Sequence, residues 1–232
     1  MEFRQFVEAA EDEEYAFKAV FTAGGPGSGK SYLSRIMFPY FMMGDSDRIQ
    51  VLLSKARTLP VVPDRNHPRY PEIMRAMYRA QELNRIRVSE FWATQGYPII
   101  INTTGRSIEQ IQTINNSLKQ LGYDTGMVFV RTALDTAIQR NRTRPQFGGH
   151  GAEEDYLINA WHTAQANINA FRRIFGSRFV IIDNDQEFQR DERTLRRLKF
   201  VADTVIGRPL SREEKKVRSN AVQSRSGVGY SS

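Results

Sequence analysis

Eight consecutive residues, Gly24-Gly25-Pro26-Gly27-Ser28-Gly29-Lys30-Ser31, satisfy the spacing G-x-x-x-x-G-K-[ST] at every fixed position. The run before them, residues 15–23 (YAFKAVFTA), is apolar and rich in aromatic and β-branched side chains, so it reads as a buried strand. Lys30 to Met37 reads as a helix. Strand, glycine-rich turn and helix in that order form a cradle for phosphate. Glycines let the backbone N–H groups turn inward around an anion, and the helix offers its positive N-terminal end. The motif assigns Gly25, Pro26, Gly27, Ser28, Gly29, Lys30, Ser31 and Tyr32 to a bound nucleoside triphosphate, ATP or GTP. Lys30 reaches the β- and γ-phosphates, and the Ser31 hydroxyl ligates Mg2+. The bland alternative, a glycine-rich turn with a chance lysine, is strongly disfavoured by the intact motif in its strand–helix setting.

The rest of the chain repeats the alternation. Residues 38–44, 97–102, 126–131 and 178–183 read as further strands, the first weakened by Pro39. Helical patterns cover 72–95 (closed by Gly96), 107–121 (Ser107 as N-cap, Gly122 at the end), a segment from 133, 153–175 and 191–206. The 72–95 pattern puts Ile73, Met74, Met77, Tyr78, Leu83, Ile86, Phe91 and Trp92 on a broad apolar face. Between the second strand and that helix, 57–71 holds four prolines and reads as an irregular connection. Near-continuous apolar strands separated by helices mean a parallel sheet covered on both faces. The expected fold is therefore α/β, with a five-stranded parallel sheet flanked by helices. A flexible lid is expected over 143–152, and a disordered C-terminal tail from Ser219. The chain divides into an acidic segment 1–14, a core domain 15–206 and a basic, largely disordered tail 207–232.

The phosphate loop alone does not choose between motor, switch and transferase. The second strand ends in Gly44-Asp45-Ser46-Asp47-Arg48, and strand ends line the site in open α/β sheets. Asp47 is the candidate base for an attacking hydroxyl. Asp45 is a second candidate or a metal-shell residue, and Arg48 joins it on the acceptor side. The alternative is that both aspartates cap the next helix. The third strand ends in Asn102-Thr103-Thr104-Gly105-Arg106. Asn102 is neutral where many phosphate-loop proteins carry an aspartate, which argues against a water-activating ATPase. Thr104 and Arg106 are candidates to hold the acceptor, or else belong to a loop that caps the next helix. Arg140 and Arg144 share a helix face, with Arg142 pointing elsewhere, and stand before Gly148-Gly149-His150-Gly151. They fit lid arginines that neutralise charge on a transferred phosphoryl group, or else a solvated helix end. Asp183-Asn184-Asp185 ends the last strand and is placed near the nucleotide base.

Composition removes other chemistries. The 232 residues include no Cys, which excludes thiol chemistry and disulfides, and three widely spaced His, which argue against a His-based zinc site. No run is apolar enough for a membrane span, and the N-terminus has no secretory core, so the expected compartment is the cytoplasm, the host's if a phage encodes the chain. Net charge is +7. Residues 1–18 carry six acids against Arg4 and Lys18, and residues 207–232 carry six bases against Glu213 and Glu214, so the ends cancel and the body holds the excess. That excess points to a polyanionic partner or to phosphate-handling arginines.

Taken together, the Gly24–Ser31 loop, Asp45-Ser46-Asp47-Arg48, the Asn102–Arg106 strand end and the 140–144 arginines resemble the small phosphate-loop kinases related to zeta toxins and to 5′-hydroxyl polynucleotide kinases. The stretches GYDTGMVFVRTALDTAIQRNRTRP and NINAFRRIFGSRFVIIDN are similar to phage-encoded zeta-like kinases. The resemblance covers about residues 16–190 and implies a P-loop NTPase fold of nucleotide-kinase type with a five-stranded parallel sheet, ATP or GTP as donor, Mg2+ and a hydroxyl acceptor. It places Lys30 and Ser31 on donor phosphate and magnesium, Asp47 as catalytic aspartate, Arg140 and Arg144 as lid arginines, and Thr104 and Arg106 beside the acceptor. Asn102 departs from the acid found in relatives. The expected function is a kinase acting on nucleic acid, at a 5′-hydroxyl end or a hydroxymethylated base. The alternatives are a small-molecule kinase for a nucleotide or nucleotide sugar, and a non-catalytic ATP-binding switch.

Overall fold

The structure is a computed structural model that describes residues 15–61, 65–143, 152–186 and 191–226, without the side chains of Asp47, Gln223, Arg225 and Ser226. Five strands, β1 (Lys18–Ala23), β2 (Met42–Met43), β3 (Ile99–Asn102), β4 (Asp124–Arg131) and β5 (Phe179–Asp183), form one sheet in the order β2-β3-β1-β4-β5. Every pairing is parallel. The strand carrying the phosphate loop is thus central, as its apolar run requires.

Alternate residues of each strand feed two cores. Phe21, Ile99, Met127 and Phe129 face one way, where α4 (Ile108–Gln120) and α7 (Ile168–Phe175) supply Ile111 and Phe171. Val20, Ile100, Val128 and Val130 face the other, against Leu33 of α1 (Lys30–Met37) and Leu198 and Val201 of α8 (Glu192–Ile206). A smaller cluster, Leu59, Ile73 and Ala76, joins α2 (Ser46–Ala56) to α3 (Tyr70–Ile86). Among the described residues, no helix is long and apolar enough to cross a membrane.

Several boundaries differ from the sequence reading, each for a local reason. β1 starts at Lys18 rather than at residue 15, because Phe17 takes a left-handed backbone (φ 57°), with its ring under Gly96. β2 shrinks to two residues, since the chain turns through Pro39 with Phe41 N–H donating to the Phe38 carbonyl. The 72–95 pattern is helical throughout, but a wider π turn (Arg87–Trp92) and a short 3-10 turn follow α3 before Gly96 ends it in the left-handed region. Tyr78 and Phe91, expected on the apolar face, are exposed. The expected 153–175 helix is two: α6 (Glu154–Ala166) and α7 part at Asn167, whose side-chain amide donates to the Gly105 and Arg106 carbonyls.

The largest difference is at the C-terminus. α9 (Arg212–Ser226) makes the polar stretch from Ser219 helical through Ser226, and residues 227–232 lie outside the described set. Its start is a capping box: Ser211 N–H donates to Glu214 Oε2 at 2.8 Å, and Glu214 N–H to Ser211 Oγ at 3.2 Å. Val222 is buried, and Arg218 donates to the Gly122 carbonyl at 2.5 Å. The Arg208 guanidinium beside Glu214, helped by the Ser211 N–H, holds that carboxyl down at about 2. Burial pushes Asp124 up, but Lys18, Arg218 and Arg178 together bring it below the usual carboxylate range. Both depressed carboxylates stabilise the fold above their ordinary pKa values, and that contribution is lost as pH falls through their folded ones. The melting temperature followed by circular dichroism is therefore expected to hold down to about pH 4.5 and then fall steadily toward pH 2. A Ser211→Ala, Glu214→Gln variant should show a shallower fall.

Candidate active site

The phosphate loop is fixed by backbone geometry and by three flanking elements. Gly27 and Gly29 have φ of 80° and 82°, where an L side chain is strained. A Cβ at Gly27 would overlap the Ala137 carbonyl of α5 (Leu134–Thr143), and one at Gly29 would lie 2.5 Å from Asn184 Nδ2. Gly29 starts α1 with no side-chain cap, so no side chain competes for the first-turn amides. Lys30 and Ser31 stand half-buried at that helix start.

The Asn184 amide donates to the Ser28 carbonyl at 2.7 Å, and its backbone N–H to the Arg131 carbonyl at 2.8 Å. The Thr132 hydroxyl also donates to Ser28, at 3.4 Å, and Trp161 Nε1 of α6 holds the Thr132 carbonyl at 2.7 Å. The β4–β5 edge below is pinned where Arg131 faces Asp183 in register and grips it bidentately. The pair raises the guanidinium and lowers the carboxyl, chiefly through their mutual hydrogen bonds. Asp185 accepts from the Ala133 N–H. The 183–185 strand end, expected near the base, clasps the phosphate loop. No local sequence pattern marks Asn184, Thr132 and Trp161 as holders of that loop, because their partners are backbone carbonyls far away in sequence.

Removing this clasp has a measurable consequence. Asn184→Ala should weaken nucleotide binding about tenfold, the upper end for one net hydrogen bond, with a smaller effect on turnover. Calorimetric titration with ATP checks it.

Arg140 joins the same unit. Its guanidinium donates to the carbonyls of Asn184 (2.7 Å), Asp185 (3.4 Å) and Gln186 (3.3 Å), beside Gly29. Arg142 points away and forms a bidentate pair with Glu154, as its spacing implied. Arg144 and the expected lid loop, apart from Ala152 and Thr143 at its ends, lie outside the described residues.

After β2 the two aspartates separate. Asp45 is the N-cap of α2: its Oδ1 accepts from the Arg48 N–H at 3.0 Å, and its Oδ2 lies 3.5 Å from Arg35. Asp47 sits in the first turn of α2, and its side chain lies outside the described set. Asn102, paired in register with Thr22 of β1, accepts from the Thr22 hydroxyl. Thr104 is half-buried in the turn after β3. Arg106 is exposed, with its guanidinium 4.9 Å from the Tyr156 ring centre. All these strand ends lie on one edge of the parallel sheet, the edge that carries the phosphate loop.

Two cavities open beside Gly44. One, about 1120 Å³, is lined by Arg35, Asp45, Arg48 and Arg87 with the rings of Phe41 and Phe91. The other, about 850 Å³, is lined by Asn84, Asn102, Ser107, Gln110 and Thr113 among others. Gly44 lets Asn84 approach: a Cβ there would lie 2.7 Å from Asn84 Oδ1. That buried oxygen has no hydrogen-bond partner among the described residues. Among the described residues no cluster of three acidic or histidine side chains could hold a metal unaided.

Comparison with known proteins agrees with this architecture. The toxin–antitoxin system PezAT of Streptococcus pneumoniae includes a chain with TM-score 0.52, 15% identical, covering 98% of this chain and 97% of its own. The Pnkp1/Rnl/Hen1 RNA repair complex includes one with TM-score 0.51, 16% identical, matched over 68% of this chain and 47% of that one. A chain of the AvrRxo1-ORF1:AvrRxo1-ORF2 complex, solved with sulphate ions, has TM-score 0.56 and 9% identity, covering 95% of this chain and 82% of that one. At such identities these likenesses establish the fold. A search of curated proteins found no match. The zeta toxin family model matches residues 8–194, from before β1 to the start of α8, and so the chain belongs to the zeta toxin family.

Proposed function

We propose that this chain is an ATP-dependent kinase that transfers the γ-phosphoryl group to a hydroxyl of nucleic acid, a 5′-hydroxyl end or a hydroxymethylated base. The observation that carries the transfer reading is the sharing of one sheet edge by a clasped phosphate loop and the capped start of α2. Lys30 holds donor phosphate charge. Asp47 takes the proton of the acceptor hydroxyl as its oxygen bonds to the γ-phosphorus and the bond to the β–γ bridging oxygen breaks, releasing ADP. Arg140 and Arg144 neutralise charge on the transferred group. Thr104, Arg106, Asp45 and Arg48 flank the acceptor.

A metal ion fits this donor set. Magnesium keeps several waters and takes substrate phosphate oxygens, so the half-buried Ser31 hydroxyl at the start of α1 would hold it without an acidic cluster. When bound it would neutralise the β- and γ-phosphates.

The nucleic-acid reading draws on the cavity beside Asp45, where three arginines oppose one carboxylate and aromatic rings lie among them. Phosphate pairing with base stacking is how such sites hold single strands. The RNA repair complex among the structural neighbours is named for nucleic-acid work. The second cavity, where Asn84, Asn102, Gln110, Ser107 and Thr113 stand among Glu82, Arg85 and Glu109, favours the second reading, a small acceptor held by hydrogen bonds, such as a nucleotide or nucleotide sugar. Two variants separate them. With a nucleic-acid acceptor, Arg87→Ala should raise the acceptor KM at least tenfold and Asn84→Ala should change it little, and the KM should climb steeply with salt. The reverse ranking with a flat salt response would reject the nucleic-acid reading.

A further inference from the structure

The edge of the sheet where the strands begin carries a second charged feature. β1 is six residues long, so this edge lies on the order of 20 Å from the phosphate loop. A cleft of about 660 Å³ opens here, lined by Lys119, Arg173, Arg178 and Arg218 around one carboxylate, Asp124. That carboxylate is already committed. Its Oδ2 accepts from the buried Lys18 ammonium at 2.7 Å, its register partner across β1 and β4, and lies 3.8 Å from Arg178. Its Oδ1 lies 3.3 Å from both terminal nitrogens of Arg218. Lys119 and Arg173 are exposed and form no ion pair among the described residues.

Part of this charge has a structural explanation. α4 and α7 end at the cleft, and Lys119 and Arg173 stand in their last turns, where each helix offers about half a negative charge. Closing the sheet needs one cation against Asp124. Five cations against one carboxylate and two helix ends leave roughly three positive charges unmatched. Arginine forks spaced around a concave surface suit phosphate oxygens, which they bind bidentately.

We propose that this cleft binds the phosphate backbone of a polynucleotide acceptor at a distance from its reacting end. The proposal rests on the nucleic-acid reading above. It makes α9 part of the binding surface, because Arg218 is carried by that helix.

The test uses the full chain and a fluorescein-labelled, 5′-phosphorylated 15-nucleotide single-stranded DNA, whose blocked end isolates backbone binding. Lys119→Glu with Arg173→Glu should weaken binding at least tenfold and flatten the slope of log K against log salt by about 1.4, two contacts' worth for a single strand. Lys119→Gln with Arg173→Gln should weaken it by less and guard against a misfolded reversal variant, with thermal melts compared for both. ATP affinity should not move. No binding by the unmodified chain, or equal affinity and slope in the variants, overturns the proposal. Phosphorylation of a 5′-hydroxyl dinucleotide, too short to reach the cleft, reads the acceptor assignment separately. A phosphorylated dinucleotide with unchanged 15-nucleotide binding in the variants defeats the cleft alone. Cleft-dependent binding with no phosphorylated nucleic acid supports the cleft and defeats the acceptor reading.

Discussion

Asp47→Asn is expected to lower phosphoryl transfer by roughly 10²–10⁴, the range for losing a general base, with ATP affinity unchanged. Asparagine is isosteric, so the helix start should survive while the capacity to accept a proton goes. Asp45 provides the contrast. Its carboxylate caps α2 and pairs with Arg35, so Asp45→Ala should cost about 1 kcal/mol of stability through the lost cap. Single-turnover transfer rates and ATP titrations on both variants separate the roles. Full transfer by Asp47→Asn would remove Asp47 from the mechanism and pass the base to Asp45 or to solvent.

Arg140→Ala is expected to cost about 10³-fold or more in transfer, the scale reached when an arginine meets the transferred phosphoryl group. Its guanidinium is held by three carbonyls of 184–186 beside Gly29, at the rim of the phosphate loop. Losing it removes both a positive charge from that rim and the tie between α5 and the clasp at Asn184. Arg142→Ala is the internal control. That residue pairs with Glu154 on the surface, and an exposed pair contributes about 0–1 kcal/mol, so transfer should be unchanged. Equal losses in the two variants would mean that α5 matters only as a packed helix.

The architecture is readable because most strands are near-continuous apolar runs and the loop motif marks where β1 ends and α1 begins. Lys30–Met37 is helical over its full expected length, and Gly96 and Gly122 both adopt the left-handed backbone at the helix ends where they were expected. The boundaries that moved depend on tertiary contacts. Phe17 leaves the strand to pack on Gly96, and Asn167 breaks a helix to hold the turn after β3. The composition of α9 is charged and its apolar face is slight, so its sequence looks like a polar tail. Its docking relies on Arg218, Val222 and the Ser211–Glu214 box, of which only the box has a local sequence pattern. For the site, the loop residues follow from spacing alone, whereas the Asn184–Ser28 clasp joins residues 156 apart and has no local signature.

The central claim is group transfer from ATP to a hydroxyl, and γ-labelled ATP tests it most directly. The chain would be incubated with Mg2+ and 5′-hydroxyl DNA, 5′-hydroxyl RNA, hydroxymethyl-base DNA, nucleosides, nucleotides and nucleotide sugars, with Lys30→Ala in parallel. Label is expected on a nucleic-acid hydroxyl and is abolished in Lys30→Ala. ATP binding with no label on any acceptor would contradict the claim.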